Sequence, residues 1–232
     1  MASNPIWVVI PAAGESRRFK EAGYSTPKPL LRIRYNDTVS YMAHYVMSSI
    51  PLIHCETLIV FPYGVEIPHN FDHTAGRMFL KSTTGQADTV YQAIKELPKN
   101  DSVLILDCDM VLQSEDVYKL VLILQIEDVA IAVAETFDPN ASRVDQIPYP
   151  TRFVEKENIS QYGIVGARAF KNIGILQEAL SRTLERYEVL GKEPYLSVAI
   201  NHYPGNKYAH LITNYVDWGT PERIKESGAE IV

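Results

Sequence analysis

Short apolar runs alternate with helical patterns along the first half of the chain. Four apolar runs predict buried strands, at residues 7–11, 57–61, 103–106 and 129–134. Apolar residues recur with helical spacing in three other segments, at 41–49, 87–97 and from Ser114, a predicted N-cap, to about residue 125. Strands that alternate with helices predict a largely parallel sheet covered by helices on both faces.

The second half of the chain has a less regular pattern. Residues 138–149 are polar and rich in proline, with no clear period. Beyond them, the pattern predicts short strands at 153–156, 163–167 and 209–213, and helices at 173–190 and 194–201. No stretch has the composition of a flexible linker, so we predict a single domain over residues 1–232.

The composition leaves many functions open but excludes some classes. The chain has 232 residues, of which 46% are apolar, which suffices for a sizeable core and excludes global disorder. The formal net charge is −6, from 22 basic and 28 acidic residues. This balance argues against broad binding of nucleic acid or of an anionic membrane, and it leaves room for one phosphate ligand in a cleft.

The cysteine spacing and the lack of a signal-peptide pattern favour a reducing compartment. Cys55 and Cys108 have no metal-ligand spacing and form no CxxC motif, so we predict neither a zinc site nor a disulfide scaffold. His69 and His73 are four residues apart but lie in a loop-like stretch, where we expect surface positions. The first residues lack the basic and apolar regions of a signal peptide, and no apolar run is long enough to span a bilayer. We therefore expect a cytoplasmic protein with no membrane partner.

The first predicted strand leads into a loop of small residues, and two cationic positions follow. Small residues let backbone N–H groups approach an anion, and the loop lies at a strand end, where open α/β sheets bind ligands. Arg18 can then neutralise phosphate charge as a planar fork, and Lys28 as a point charge. A plain turn with a solvated basic loop is the alternative, but the position at the strand end favours a phosphate site.

Two carboxylates follow the third predicted strand. If the extended geometry continues, Asp107 and Asp109 face one side and Cys108 faces the other. Carboxylate oxygens suit Mg²⁺, which proteins bind through one or two carboxylates together with substrate phosphates. An acidic turn without a metal is the alternative, and the phosphate loop predicted at the same sheet edge favours a magnesium site.

Two further segments, at residues 217–222 and just before the helix at 87–97, could serve either a structural or a functional purpose. Thr220 and Pro221 are the residue types of a helix start, and Asp217 comes just before them, where we expect it to face the cleft. Gly85 precedes the helix at 87–97, either as a structural turn or as a place where a base lies against the backbone. The chain contains neither a G-x-S-x-G motif nor a Walker P-loop, which argues against acyl transfer and P-loop chemistry.

These motifs resemble the signature of nucleotidyltransferases of the sugar-phosphate type. The family pattern runs from an apolar strand through A-A-G-x-G-x-R-F to P-K-P-L, and this chain matches it at 8–19 and 27–30, with Ser16 in place of the second glycine. Residues 217–222 are similar to the family's late D-x-G-T-P-E motif. The resemblance covers residues 8–222. It implies a Rossmann-like, glycosyltransferase-A-like α/β fold, with a mixed, mostly parallel sheet and helices on both faces.

The resemblance also assigns roles to residues. It implies a nucleotide-binding half over about residues 1–135 and an acceptor-binding half over about 136–232. The catalytic residues would be Arg18, Lys28, Asp109 and Asp217, the two aspartates as ligands of Mg²⁺. The nucleotide would bind to Ala12, Ala13, Gly14, Ser16, Gly85, Gln86, Ala87 and Asp107. The acceptor would bind to residues that match the family's E-K, G-I-Y and E-Y motifs, namely Glu155, Lys156, Gly163 and Glu193.

The implied reaction transfers NMP from an NTP to a phosphate monoester, such as a sugar-1-phosphate or another small phosphorylated metabolite, and releases pyrophosphate. By family analogy the NTP is a pyrimidine nucleotide (CTP, UTP or dTTP), and sugar-nucleotide or polysaccharide biosynthesis is the implied context. A glycosyltransferase of related fold and a nucleotide-binding regulator without turnover stay as alternatives. Arg18 and Lys28 favour the nucleotidyltransferase, because a glycosyl donor needs no loop for pyrophosphate. The sequence leaves the base, the acceptor and the oligomeric state open.

Overall fold

A computed structural model describes residues 5–51, 54–71, 74–190 and 193–232. The N-terminal residues 1–4, where no signal peptide is expected, and His73, expected at the surface, lie outside these ranges. His69 is exposed, as predicted. Among the described residues, no helix is both long and apolar enough to cross a membrane.

Strands and helices alternate along the described chain. The strands are β1 Ile6–Pro11, β2 Arg32–Tyr35, β3 Thr38–Tyr41, β4 Cys55–Pro62, β5 Gly76–Leu80, β6 Ser102–Leu106, β7 Met110–Leu112, β8 Val129–Glu135, β9 Ser142–Val144, β10 Phe153–Glu155, β11 Tyr162–Phe170, β12 Lys207–Leu211, β13 Tyr215–Asp217 and β14 Glu230–Ile231. The α-helices are α1 Arg17–Glu21, α2 Met42–Met47, α3 Gln86–Ile94, α4 Ser114–Ile123, α5 Ile173–Leu190, α6 Leu196–His202 and α7 Pro221–Glu226. A 3₁₀ helix spans Lys28–Leu30.

One large mixed sheet organises the molecule. Its strands β5, β4, β1 and β6 are neighbours in that order and run parallel. Strand β11 runs antiparallel to both β6 and β8, and β12 extends the sheet parallel to β8. Strands β9 and β10 form an antiparallel pair beside β11. The predicted α/β fold with a mixed, mostly parallel sheet is therefore confirmed.

The alternation of side chains along β1 explains why helices cover both faces of this sheet. Val8 and Ile10 belong to a buried cluster that includes residues of α2 and α4. Val9 points the other way, into a cluster with residues of α3, α5 and α6. All three side chains are fully buried, and each such burial contributes about 1.5–3 kcal/mol relative to exposure.

A third buried cluster joins the two ends of the chain. Phe19 from α1 and Ile224 from α7 pack around Trp218, which is fully buried. The indole N–H of Trp218 donates to Ser227 Oγ at 2.9 Å, so its polar atom is satisfied as well. A small antiparallel sheet of β14, β2 and β3 supplies Ile33 to the same cluster. The loop before α1 and the segment before α7 are thereby held next to each other.

The predicted elements of the first half match observed ones with small shifts of their ends. The four predicted strands correspond to β1, β4, β6 and β8, and the three helices to α2, α3 and α4. In the second half, the helix predicted at 173–190 is observed with those bounds as α5. The predicted helix start at Thr220 is also confirmed, since its hydroxyl accepts from the Arg223 N–H at 3.3 Å.

Two local predictions were wrong, and several short strands were not predicted. The N-cap of α4 is Gln113, whose backbone is extended, and Ser114 is already the first helical residue. Residues 138–149, for which no element was predicted, contain β9, which pairs with β10 and β11. The extended geometry of β6 does not continue through Asp109, because the chain turns and the Met110 N–H donates to the Asp107 carbonyl at 3.3 Å. The short strands β2, β3, β5, β7, β13 and β14 were not predicted.

Candidate active site

A cavity of about 1010 Å³ opens at the carboxyl ends of three strands of the large sheet. Its wall includes Pro11 at the end of β1, Asp107 after β6 and Thr136 after β8. This is where parallel α/β sheets bind ligands, and the volume lies at the upper end of the range for small-molecule sites. Residues from both halves of the chain line the cavity.

The loop after β1 is open on the side that an anion would approach. A Cβ atom at Gly14 would meet no atom within 4 Å, so the space beside this backbone is free. Ser16 adopts the left-handed conformation, with φ 52°, at the position where the family pattern has glycine. Its hydroxyl accepts a hydrogen bond from the Lys28 N–H at 3.1 Å. This bond ties the loop to the P-K-P-L segment and helps to explain how a serine holds this conformation.

Lys28 and Asp109 form an ion pair in the cavity wall. Lys28 Nζ lies 2.6 Å from Asp109 Oδ2, and each side chain is about one-fifth exposed. Burial acts to lower the pKa of Lys28, but the attraction to Asp109 prevails and holds that pKa above its usual range. Burial acts to raise the pKa of Asp109, and the Lys28 ammonium outweighs it and lowers the pKa. Both groups are therefore charged at neutral pH.

Arg18 is the second cation predicted for this site, and it lines the same cavity. It lies on α1, is exposed, and its charge helps to lower the pKa of Asp109. In the described part of the chain, its side chain makes no hydrogen bond or ion pair. Its guanidinium is therefore available to a ligand.

Asp217 is brought to the pair by a short antiparallel ladder. Strand β13 pairs with β7 so that Asp217 lies opposite Met110, and the next residue, Trp218, donates its N–H to the Asp109 carbonyl at 2.8 Å. A Cβ atom at Gly219 would lie 3.0 Å from Asp217 Oδ1 and 3.5 Å from Asp109 Oδ2. The two carboxylates therefore lie close together, as the sequence motifs imply.

The charge state of Asp217 reflects this crowding. Burial raises its pKa, and the nearby Asp109 carboxylate raises it further. The Gly219 N–H, which donates to Asp217 Oδ1 at 2.8 Å, opposes the rise. A cation between the two carboxylates would relieve their repulsion.

Sequence reasoning missed Arg223, which clamps two aspartates in the wall of the cavity. Its NH1 pairs with Asp217 Oδ2 and its NH2 with Asp138 Oδ2. Asp138 begins the polar stretch 138–149, for which the sequence pattern indicated no site residue. Arg223 therefore connects the late motif to the second half of the cavity. An arginine on the exposed side of a predicted helix gives no signal for such a role.

Asp107 lies in the cavity wall and is held from two sides. Arg168 NH1 donates to its Oδ1 at 2.9 Å, and Gln86 Nε2 donates to the same atom at 2.5 Å. Burial raises the pKa of Asp107, and the Arg168 charge opposes that rise. Arg168 was also missed, although an arginine inside the apolar stretch of β11 is a visible signal of a buried charge.

The predicted acceptor residues lie in the second half of the cavity wall, with one exception. Glu155, Gly163 and Glu193 line the cavity. Glu155 Oε2 accepts from two serine hydroxyls, one of them Ser197 Oγ at 2.8 Å. Lys156 does not line the cavity; its ammonium bonds to the Tyr195 hydroxyl at 2.8 Å and lies 4.9 Å from that ring.

Several predicted nucleotide-binding residues lie behind the cavity wall. The Ala12 N–H is taken by the Val60 carbonyl at 2.9 Å, and the Ala87 N–H by the Pro194 carbonyl at 3.3 Å. Gly85 packs closely on Glu193, since a Cβ there would lie 2.8 Å from Glu193 Cγ. In the 83–90 segment, Gln86 alone lines the cavity. Ala13 is half-buried at the strand end.

The residues present fit a magnesium ion that shares its coordination with a substrate. Within the described ranges, no group of three or more His, Cys, Asp or Glu side chains forms a complete cage. Asp109 and Asp217 offer a pair of neighbouring hard oxygen donors. Mg²⁺ is ordinarily bound by one or two carboxylates plus substrate phosphates, which is the donor set this site can supply.

Comparison with known sequences identifies one family. The sequence profile of the MobA-like NTP transferase domain matches residues 8–169, more than half of the chain. The matched region includes the first loop, Lys28, Asp109 and Arg168, and it ends before Asp217. A search of curated proteins with the whole sequence gives no significant match.

Solved structures of similar fold cover nearly the whole chain. A nucleoside-diphosphate-sugar pyrophosphorylase from Vibrio cholerae RC9 has 19% identity and a TM-score of 0.73, over 95% of this chain and 98% of that one. A putative glucose-1-phosphate thymidylyltransferase from Bacillus anthracis has 14% identity and a TM-score of 0.74, with coverage of 96% and 93%. The inositol-1-phosphate CTP transferase from T. maritima has 13% identity and a TM-score of 0.71, with coverage of 98% and 95%. At these identities, the likeness establishes the fold.

Proposed function

The chain belongs to the family of MobA-like NTP transferase domains, and from that premise we propose that it transfers NMP from a pyrimidine NTP to a small phosphate monoester. It is a nucleotidyltransferase, so pyrophosphate is the expected leaving group. As the resemblance implies, we propose that about residues 1–135 bind the nucleotide and about 136–232 bind the acceptor.

One observation carries the proposal. Lys28, Asp109 and Asp217 come from three separate motifs and meet in one cavity, which Arg18 also lines. A triphosphate needs cations for its charge and a site for a shared metal ion, and this cluster offers both. Taken alone, the first motif could be a solvated basic loop and the second an acidic turn. Neither alternative would require these side chains to meet in one cavity.

The proposed chemistry relies on position and charge. An oxygen of the acceptor phosphate attacks the α-phosphorus and forms a new P–O bond, while the bond to the β-phosphate breaks and pyrophosphate leaves. The acceptor phosphate is already ionised at neutral pH, so no strong general base is needed. Arg18 holds the β- and γ-phosphates, and Lys28 neutralises charge that develops at the α-phosphate.

The metal belongs to the same proposal. Asp109 and Asp217 would hold Mg²⁺, which supplies a Lewis acid for phosphate oxygens when it is bound. Lys28 pairs with Asp109, and Arg223 pairs with Asp217. The two cations thereby hold the carboxylates in place and offset the repulsion between them.

The acceptor side favours a ligand rich in hydroxyl groups. Glu155, Glu193 and Asp138 line this part of the cavity, and carboxylates accept hydrogen bonds from hydroxyls. A sugar-1-phosphate or polyol phosphate fits this chemistry. The names of the fold relatives support a pyrimidine nucleotide as well, since they mention thymidylyl transfer and CTP.

A pyrophosphate-release screen tests the proposal. Four NTPs are combined with a panel of sugar-1-phosphates, polyol phosphates and amino-alcohol phosphates in Mg²⁺ buffer, and the product is identified by mass. We expect release that requires both substrates, with CTP, UTP or dTTP as the donor. Release of free NDP from a nucleotide-sugar, without pyrophosphate from any NTP, would show the glycosyltransferase alternative instead. Nucleotide binding without any turnover would favour the regulator.

A further inference from the structure

Arg168 buries a full positive charge in the wall of the cavity. The residue is 4% exposed, on the otherwise apolar strand β11. Its NH1 donates to Asp107 Oδ1 at 2.9 Å, whereas its Nε is buried and finds no acceptor among the described residues. A buried donor without a partner costs stability, because it loses its hydration and gains no bond in return. Such a group beside a ligand site calls for a functional explanation.

Gln86 meets Arg168 at the same carboxylate oxygen. Its Nε2 donates to Asp107 Oδ1 at 2.5 Å, so this oxygen accepts from both side chains. A carboxylate paired with a guanidinium accepts hydrogen bonds and donates none. Asp107 therefore decides which end of the Gln86 carboxamide faces it: the nitrogen turns toward Asp107 and the oxygen turns away.

The free end of Gln86 belongs to the cavity. Gln86 is the first residue of α3 and lines the cavity wall. Its Oε1 accepts no hydrogen bond in the described part of the chain, and it is not one of the buried atoms that lack a partner. A hydrogen-bond acceptor of fixed orientation is thus presented to whatever fills this part of the cavity.

We propose that Arg168 is a positioning residue that acts through Asp107 to hold Gln86 Oε1 toward the base of the bound nucleotide. The inference rests on the proposed function, because it needs an NTP in the cavity. Cytosine carries an acceptor at N3 and a donor at N4, whereas uracil carries a donor at N3 and an acceptor at O4. A protein acceptor that faces N3 therefore favours uracil, whereas one that faces N4 or O4 favours cytosine. A carboxamide that turns freely offers a donor as readily and loses this discrimination.

The test compares nucleotide affinities rather than turnover. Dissociation constants for CTP and UTP with Mg²⁺ are measured by titration calorimetry for the wild type, Arg168→Met and Gln86→Leu. We expect the wild type to separate the two nucleotides by at least about tenfold, the scale of one buried hydrogen bond. Arg168→Met should reduce the ratio to within about threefold of unity, as Gln86→Leu does, although Gln86 and Asp107 are unchanged.

The chain offers a matched control in Arg143. This arginine is 2% exposed and also has a buried Nε without a partner, but it bonds to backbone carbonyls, including those of Thr136 and Ser160. Arg143→Met should lower the melting temperature and keep the wild-type CTP to UTP ratio. If a general loss of packing were responsible, Arg168→Met and Arg143→Met would change the CTP to UTP ratio to the same extent.

Two further variants keep the test decisive if Arg168→Met does not fold. Arg168→Lys retains a cation beside Asp107 and should restore part of the ratio. In Asp107→Asn, the new side-chain amide can donate as well as accept, so the Gln86 carboxamide can face it in either orientation. This variant should therefore no longer distinguish CTP from UTP. An unchanged ratio in the folded variants, or a wild type that binds CTP and UTP equally, would overturn the inference alone. A wild type that binds no NTP would overturn the proposed function together with it.

Discussion

Lys28 Nζ lies 2.6 Å from Asp109 Oδ2, across 81 residues of sequence. The pair joins the P-K-P-L segment to the end of β6 in the part of the cavity where a triphosphate would bind. Removing one partner leaves the other buried and unpaired, which destabilises a protein more than the pair itself stabilises it. Stability and activity therefore have to be measured together for every variant at this site.

The first prediction concerns the two cations. Arg18→Ala and Lys28→Ala should each lower kcat by about 10²–10³, or about 3–4 kcal/mol, because each removes a charge contact made in the transition state. Arg18→Ala should leave the melting temperature unchanged, since Arg18 is exposed, whereas Lys28→Ala should lower it. Steady-state kinetics and thermal melts measure both effects. Arg17, which pairs with Glu15 outside the cavity wall, is the control; equal losses in Arg17→Ala would contradict the assignment.

The second prediction concerns the two carboxylates. Asp109→Asn and Asp217→Asn should each remove most of the metal-dependent rate, and the double variant should be little worse, because groups that act on one ion are not additive. A double-mutant cycle in kcat over a Mg²⁺ titration tests this. Asp116→Asn is the control, since Asp116 pairs with Lys119 and His210 away from the cavity. If Asp217 were only a turn residue, its loss would cost about 1 kcal/mol of stability and leave the rate intact.

The third prediction concerns the metal. EDTA should abolish activity, and Mg²⁺ or Mn²⁺ should restore it, because the neighbouring carboxylates Asp109 and Asp217 need a cation to receive a triphosphate. Circular dichroism should show the same melting curve with and without EDTA, since Lys28 pairs with Asp109 and Arg223 with Asp217 whether or not a metal is added. Full activity in EDTA would exclude the proposed mechanism.

The fourth prediction separates two glycines. Gly14→Ala should keep the melting temperature, because its new Cβ meets no protein atom, and should raise the KM for NTP by filling space beside the anion loop. Gly85→Ala should cost at least about 1 kcal/mol of stability, since φ is +152° and the Cβ would lie 3.0 Å from the Pro194 carbonyl oxygen. Melting curves and NTP titrations of the two variants measure this contrast. A large loss of stability in Gly14→Ala would show that the loop is closed rather than open.

The fifth prediction concerns pH and stability. Burial lowers the pKa of His202, and the nearby charges of Arg186 and Arg182 lower it further. The unfolded chain then binds this proton more readily than the folded one, so the free energy of unfolding should fall as the pH drops below about 6.5. His202→Gln should show a shallower fall in urea titrations between pH 8 and pH 5. His54→Gln, at an exposed position, should follow the wild type; identical slopes in all three would contradict the assignment.

Much of the fold could be predicted because its signals are local. The run over β1 and the helical spacing over α3 and α5 follow from the periodicity of side chains along a strand or helix. The short strands β7, β9 and β13 escaped prediction because three residues carry no period. They exist because other strands supply their hydrogen bonds: β10 and β11 pair with β9, and β7 and β13 pair with each other.

The sequence by itself determined the residue types of the candidate motifs and their order. This sufficed to predict the fold class and to assign Arg18, Lys28, Asp109 and Asp217 to one hypothetical active site. Only the tertiary structure decided that Arg223 reaches Asp138, 85 residues away, and that Arg168 reaches Asp107, 61 residues away. The reason is physical: a motif is written in neighbouring residues, whereas the charge that balances a buried carboxylate comes from whichever strand or helix packs beside it.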